Sequence, residues 1–250
     1  MTMPSRRAIG EHAIAVADDQ PTFWDRVEAG RWEPGTLAAL IPLLGPDVTF
    51  LDIGAWVGPL SLLAAVRGAR VVAVEADPAA QDQFRRNLAA NPDLARRVAL
   101  VAAAISPSAG EVRLGARRKR GDSMSSILLA DGPGAWTAPA VTPAMLAERV
   151  GPERLVIKID IEGAEYALLP HLGPLLSGPD TSILLSLHPV ILAQSGVSDV
   201  AGSLRAALAP LASWRAQRID DGGPVDRGTV PDAVLGEPGH ETWLLSRASR

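Results

Sequence analysis

The chain contains no cysteine, and that absence removes disulfides, Cys-ligated zinc, iron–sulfur clusters and thiol nucleophiles together. No stretch approaches the roughly 18 consecutive apolar residues that a membrane span needs. The amino terminus starts like a signal peptide at Arg6-Arg7, yet Glu11, His12, Asp18 and Asp19 interrupt any apolar core, so none is expected. Strong charge of either sign is also lacking. A formal charge of −4 and a pI near 5.6 leave no general electrostatic reason to bind nucleic acid or anionic membrane. No internal repeat is visible. What is present is ordinary globular composition: 250 residues, 47% apolar and 21% charged, enough for one large domain. The expectation is a cytoplasmic protein.

Residues 1–45 read as an amphipathic helical cap, and residues 46–250 as the main domain. Val48–Ile53 is a short apolar run ending in glycines, which suits a strand buried on both faces. Pro59 and Gly68 bracket the next helix. Further strands are expected at 71–75, 98–103, 155–161 and 182–188, with helices at 79–90, 142–150, 162–176 and 200–211. Asp77-Pro78 and Thr142-Pro143 are N-cap-plus-proline starts. Two closing strands, 214–219 and 241–246, imply one antiparallel hairpin at an edge. The alternation predicts an α/β, Rossmann-like fold: a seven-stranded, mostly parallel sheet with one antiparallel edge strand. Ligands of such sheets bind beyond the carboxyl ends of the strands, where the winding reverses. That directs attention to the residues after Asp52, Glu75, Ala103, Asp160 and His188.

The first such loop is Asp52-Ile53-Gly54-Ala55-Trp56-Val57-Gly58-Pro59. A pyrophosphate-binding turn needs G-x-G-x-x-G; placed on Gly54, that pattern meets Trp56 and Pro59 where glycines are required. A nicotinamide or flavin dinucleotide is therefore disfavoured. A phosphate-free adenosine ligand does not need those glycines. Glu75 ends the second strand 23 residues after Asp52, where a carboxylate can chelate the ribose hydroxyls.

Phe50–Gly58 and Val72–Pro78 resemble motif I and the acidic second-strand motif of class I S-adenosylmethionine-dependent methyltransferases. Ile157-Lys158-Ile159-Asp160-Ile161-Glu162-Gly163-Ala164-Glu165 resembles the signature of the FkbM-type subfamily, as do Phe23-Trp24 and Trp32-Glu33-Pro34. The resemblance covers about residues 23–190. It implies that Asp52, Gly54 and Ala55 hold the methionine end of S-adenosylmethionine, that Glu75 takes the ribose, and that Ala76 lies against the adenine. Trp56, Gly58, Ala104 and Asp160 complete the cofactor candidates. Position 56 departs from the pattern, which has Gly or Asn there; the indole either walls the pocket or packs under the amino-terminal cap.

Strand alternation puts Lys158 and Asp160 on one face and Ile157, Ile159 and Ile161 on the other. Capping a helix could account for Asp160 or Glu162, but not for a lysine inside a buried strand, which needs a carboxylate partner. His188 should approach Asp160 from the neighbouring strand. The catalytic candidates are thus Asp160, His188, Lys158 and Glu162, with His188 or Asp160 as the base that takes a proton from an acceptor hydroxyl. The subfamily often carries an acidic residue two positions before this His, where this chain has Ser186, which weakens the case for an oriented imidazole. No metal is assigned; Mg²⁺ on Asp160, Glu162 and His188, as in the similar macrocin-type O-methyltransferases, is the less favoured alternative.

Arg117-Arg118-Lys119-Arg120 reads as a solvated loop or as a flap whose cations meet a phosphate or carboxylate on the acceptor. Ser123 and Ser125 are further pocket candidates, and residues 220–240 are long enough for a lid. The expected activity is methyl transfer to a hydroxyl of a small molecule, with a sugar or secondary metabolite implied by the resemblance. N-methylation and non-catalytic cofactor binding are the rivals. Nothing in the sequence decides for or against a homo-oligomer.

Overall fold

The computed structural model describes residues 4–17, 20–117, 120–121, 124–132, 134–151, 153–178, 180–220, 223–230, 234 and 241–247. The chain opens with a hairpin, β1 (Ser5–Ile9) and β2 (His12–Val16), where the expectation was helix. The correction has a local cause: Ile9 pairs with His12 across a two-residue loop, with Gly10 at φ 57° as its first residue. Helices α1 (Pro21–Glu28) and α2 (Pro34–Leu40) complete the cap.

There follow β3 (Val48–Ile53), α3 (Pro59–Val66), β4 (Arg70–Glu75), α4 (Pro78–Ala89), α5 (Pro92–Ala95) and β5 (Val98–Ala102). A small sheet intervenes, made of β6 (Ala104–Ile105), β7 (Gly110–Ala116), β8 (Ser125–Ser126) and β9 (Trp136–Val141) in the order β6-β9-β7-β8. Then come α6 (Pro143–Val150), β10 (Arg154–Ile159), α7 (Glu165–Leu168), β11 (Thr181–Leu187), α8 (Pro189–Gln194) and α9 (Val200–Leu208). The described chain closes with β12 (Trp214–Asp220), β13 (Gly223–Thr229) and β14 (Glu241–Arg247).

The expected α/β class is present, with a correction to the strand count. The central sheet has eight strands in the order β13-β12-β14-β11-β10-β3-β4-β5. The antiparallel β14 is not at the edge but lies between β11 and β12. The edge is β13, antiparallel to β12, formed by Gly223-Pro224-Val225 and the residues that follow. Gly, Pro and Asp are poor strand formers, and an outermost strand is where a proline's missing N–H costs least. Residues 223–229 are therefore sheet and not part of a lid; most of 231–240 lies outside the described residues.

The winding reverses at β3, with β4 on one side and β10 on the other. The crevice thus opens where Asp52 and Asp160 leave their strands. Two apolar clusters fill the faces of the sheet: Leu51, Ile53, Ile157 and Ile159 belong to one, Phe50 and Val156 to the other. Ile9, Ile14, Val16, Trp24 and Val27 of the cap lie in the second cluster, so cap and sheet share one core. No helix among the described residues is long and apolar enough to cross a membrane.

Candidate active site

Gly54 is where the crevice is built. Its φ is 81°, its N–H donates to the Val74 carbonyl at 3.0 Å, and an added Cβ would stand 2.0 Å from the Asp160 carbonyl oxygen. Only a residue without a side chain lets the β3 turn pass so close to the end of β10. Gly58 serves a different purpose. Its φ is 86°, an added Cβ would meet the Phe84 ring at 2.2 Å, and it does not line the cavity, so it packs α3 against α4.

A cavity of about 540 Å³ lies between this turn and the cap. Asp52, Gly54, Ala55, Lys158, Asp160 and His188 line it from the sheet side. Lys158 pairs in register with Asp52 across β3 and β10. Its Nζ is 3.2 Å from Asp160 Oδ2 and 3.5 Å from the Gly54 carbonyl. Burial opposes its charge, but Asp160, Asp52 and Glu33 outweigh burial and raise its pKa. The buried lysine has the carboxylate partner its position demands. Asp52 accepts a hydrogen bond from Ser61 Oγ at 2.6 Å on Oδ2, while its buried Oδ1 has no hydrogen-bond partner among the described residues. Burial raises the pKa of Asp52, and Lys158 and Ser61 hold it down.

His188, at the end of β11, is buried and held at both its backbone and its ring. Its N–H donates to Glu165 Oε1 at 2.9 Å, and its Nδ1 lies 2.8 Å from the same oxygen. Its Nε2 faces Asp160 Oδ1 at 3.5 Å and Glu162 Oε2 at 3.6 Å. Glu165 thus supplies the orienting carboxylate that Ser186 does not. Ser186 Oγ instead hydrogen-bonds Thr242 Oγ1 at 3.1 Å. Burial works against the imidazolium, yet the Glu165 hydrogen bond and the three surrounding carboxylates raise the pKa of His188 to about 8. Glu162 is raised to about 7, by burial first and then by Asp160 and Glu165, with His188 and Lys158 opposing.

Helix capping explains neither acidic candidate. The helix α7 begins only at Glu165, with Ala164 as its N-cap, and Glu162 occupies a left-handed turn at φ 55°.

Trp56, also left-handed at φ 51°, does both things open to it: it lines the cavity and packs edge-on against Phe23 at 4.5 Å. Phe23 in turn meets Trp32 at 5.3 Å. Glu33 was not singled out as a site residue, yet it lines the cavity in a left-handed conformation (φ 44°, ψ 52°). Such a conformation costs an L-residue about 1–2 kcal/mol. Its pKa is raised by burial and held down by Lys158. Ser61 and Glu165 were missed as well. Ser61 acts on Asp52 of another element and no local pattern marks it; Glu165 closes the Ile157–Glu165 signature, but its partner His188 is 23 residues away at the end of β11.

The second part of the crevice is nearly closed. Gly54, Ala76, Ala104, Ser125, Ser126 and Ile161 are among the residues around a pocket of about 40 Å³. Gly121 donates its N–H to Asp77 Oδ2 at 2.5 Å and accepts from Trp56 Nε1 at 3.0 Å; Ser125 Oγ, of the pocket lining, donates to Asp77 Oδ2 at 3.3 Å. Ser123 lies outside the described residues, as do Arg118 and Lys119. Beneath Trp56, Glu75 accepts from the N–H groups of Trp56 and Asp77, each at 2.7 Å. Burial raises its pKa to about 7 against those hydrogen bonds.

These residues fit S-adenosylmethionine unevenly. Asp52, which lines the polar cavity, keeps a buried carboxylate oxygen, Oδ1, whose unmet hydrogen-bonding capacity suits an ammonium group. The 40 Å³ pocket holds the expected adenine neighbours Ala76 and Ala104, and at that volume it has no room for a nucleoside. Asp160, Glu162 and His188 each bring one ligand atom, all within 4.8 Å of one another, a donor set that a divalent cation could use. Against that use, the Lys158 ammonium already partners Asp160.

No family model matches the chain, and no curated protein matches it. Solved structures do. An O-methyltransferase from Bacillus cereus in complex with SAH aligns with a TM-score of 0.46 and 19% identity over 85% of this chain and 78% of that one. A precorrin-6y C5,15-methyltransferase from Geobacter metallireducens GS-15 aligns with a TM-score of 0.44 and 13% identity over 85% and 86%. A putative O-methyltransferase from Klebsiella pneumoniae aligns with a TM-score of 0.46 and 15% identity over 87% and 80%.

Proposed function

We propose that this chain transfers a methyl group from S-adenosylmethionine to a hydroxyl of a small molecule, with His188 as the base. The observation that carries this reading is the Glu165–His188 pair, fixed at Nδ1 and facing the cavity that starts at the Asp52–Ala55 turn. When bound, the cofactor supplies an electrophilic methyl on a sulfonium, so the protein needs to position the acceptor and remove its proton.

Asp52 holds the ammonium of the methionine end through Oδ1, and Gly54 and Ala55 admit its backbone. Glu75 is the ribose ligand; Ala76 and Ala104 flank the adenine. Glu165 accepts the Nδ1–H of His188 and so leaves Nε2 to take the hydroxyl proton. Asp160, neutralised by Lys158, and Glu162 border the point where that proton arrives. An amine acceptor with a free lone pair needs no such base, which is why the oxygen acceptor is preferred to nitrogen.

Calorimetry with S-adenosylhomocysteine and transfer of labelled methyl test the two halves separately. His188→Asn is expected to lower turnover by about 10²–10⁴-fold, the usual contribution of a general base, and to change product affinity less than threefold. Equal loss of both would indicate a binding role for His188. Failure of the parent protein to bind either S-adenosylmethionine or its product would end the reading. Turnover that survives EDTA supports the base; loss restored by Mg²⁺ would assign Asp160, Glu162 and His188 to a metal.

A further inference from the structure

The polar cavity is not the only approach to His188. A second cavity of about 390 Å³ lies on the other side of the same two residues, Glu162 and His188. Its walls are more apolar: Met124, Leu129, Val190 and Ile191 among them, with Arg117 and Gln194 as the polar side chains beside Glu162 and His188. Val190 is 59% exposed, one of three large apolar side chains left exposed among the described residues. An apolar side chain in that state, at the mouth of a cavity that ends on a base, is surface a ligand can cover. Arg117 is exposed and, among the described residues, is the only Arg or Lys in the lining; its guanidinium contacts Met124 Sδ at 3.4 Å and none of their carboxylates.

From this arrangement we infer that the second cavity is the acceptor site, and that it takes a hydrocarbon-bodied alcohol or phenol carrying a carboxylate or phosphate that pairs with Arg117. The inference rests on the methyl-transfer reading and names the acceptor class that reading leaves open. Having Glu162 and His188 in both linings gives it a geometric basis: an acceptor in the second cavity sets its hydroxyl at the base, on the border of the cavity that would take the methionine end of the cofactor. The lining decides the class. A sugar would set several hydroxyls against Leu129, Val190 and Ile191, and each polar group buried without a partner costs about 1–3 kcal/mol. An aromatic ring or an alkyl chain loses nothing there. This replaces the sugar implied by the resemblance. The anion follows from Arg117, a rigid fork matched to carboxylate and phosphate.

The test uses the full chain with 4-hydroxycinnamate and 3-hydroxydecanoate as probes, beside their methyl esters and glucose. Labelled methyl transfer is measured, together with probe binding to the protein loaded with S-adenosylhomocysteine, by saturation-transfer NMR. At least one hydroxy acid is expected to bind and be methylated, and glucose to do neither. Arg117→Ala is expected to raise KM or Kd for the acid at least tenfold and for its ester less than twofold. Val190→Asp is expected to weaken both. Preference for glucose, or equal weakening of acid and ester by Arg117→Ala, overturns the inference. So does product binding without binding of any hydroxy acid or ester, and that outcome leaves methyl transfer itself standing. Absence of S-adenosylhomocysteine binding instead removes the underlying reading.

Discussion

At His188 three carboxylates act on one imidazole, and their sum sets a pH dependence. With a pKa of about 8, the ring is largely protonated at neutral pH and becomes a base only above it. Turnover is therefore expected to rise through pH 8, read from a kcat profile between pH 6 and 9.5. Glu165→Gln removes the charge that favours the imidazolium, so the midpoint should move down. The same shift contributes to stability with a definite sign. A pKa raised above the ordinary value of 6.5 stabilises the fold fully below 6.5, and that contribution is lost as pH rises through about 8. His188→Asn should flatten this part of the stability profile, measured by urea denaturation at fixed pH steps.

Glycines separate backbone strain from collision. Gly54→Ala forces a Cβ to within 2.0 Å of a backbone oxygen and is expected to cost about 2–5 kcal/mol, a sum of overpacking and left-handed strain. Gly30→Ala meets nothing within 4 Å at φ 64° and should cost only about 1–2 kcal/mol, the strain alone. Denaturant midpoints compare the two.

Among the elements, Asp77 does two jobs from one carboxylate. Oδ1 caps α4 by accepting the Ala79 N–H at 2.8 Å, and Oδ2 accepts from Gly121 and from Ser125, which lines the small pocket. Asp77→Ala is expected to cost about 1–2 kcal/mol for the lost cap. It should also speed hydrogen exchange at the Gly121 amide relative to the amides of β4, read by exchange mass spectrometry or NMR. The cap was legible in Asp77-Pro78. The second job was not, because Gly121 is 44 residues away and only folding brings the two together. The first hairpin was misread for a related reason: alternating Ala and Ile around Gly10 is compatible with either period, and the pairing of β1 with β2 decides it. At β13 the residues argue against a strand, and the free edge beside β12 makes one.

Across the whole molecule the cap and the sheet are expected to unfold together, since Trp24 and Val27 share a cluster with Phe50 and Val71. Calorimetry should give one cooperative transition. A chain cut at residue 46 should bind the dye ANS, because removing the cap uncovers the apolar face it buries.

The sequence by itself determined the alternation of buried strands and helices, the turn at Asp52–Gly58 and the acid at Glu75. It also placed Lys158 on the same strand face as Asp160. These are local matters of period, spacing and residues suited to tight turns, written in contiguous stretches of chain. Tertiary structure alone decided that Glu165 orients His188, that Lys158 acts on Glu33, that Asp77 ties down Gly121, and that two cavities of different character meet at one imidazole. Each of those joins segments tens of residues apart, and the register and packing of the folded sheet, which no local period encodes, bring them together.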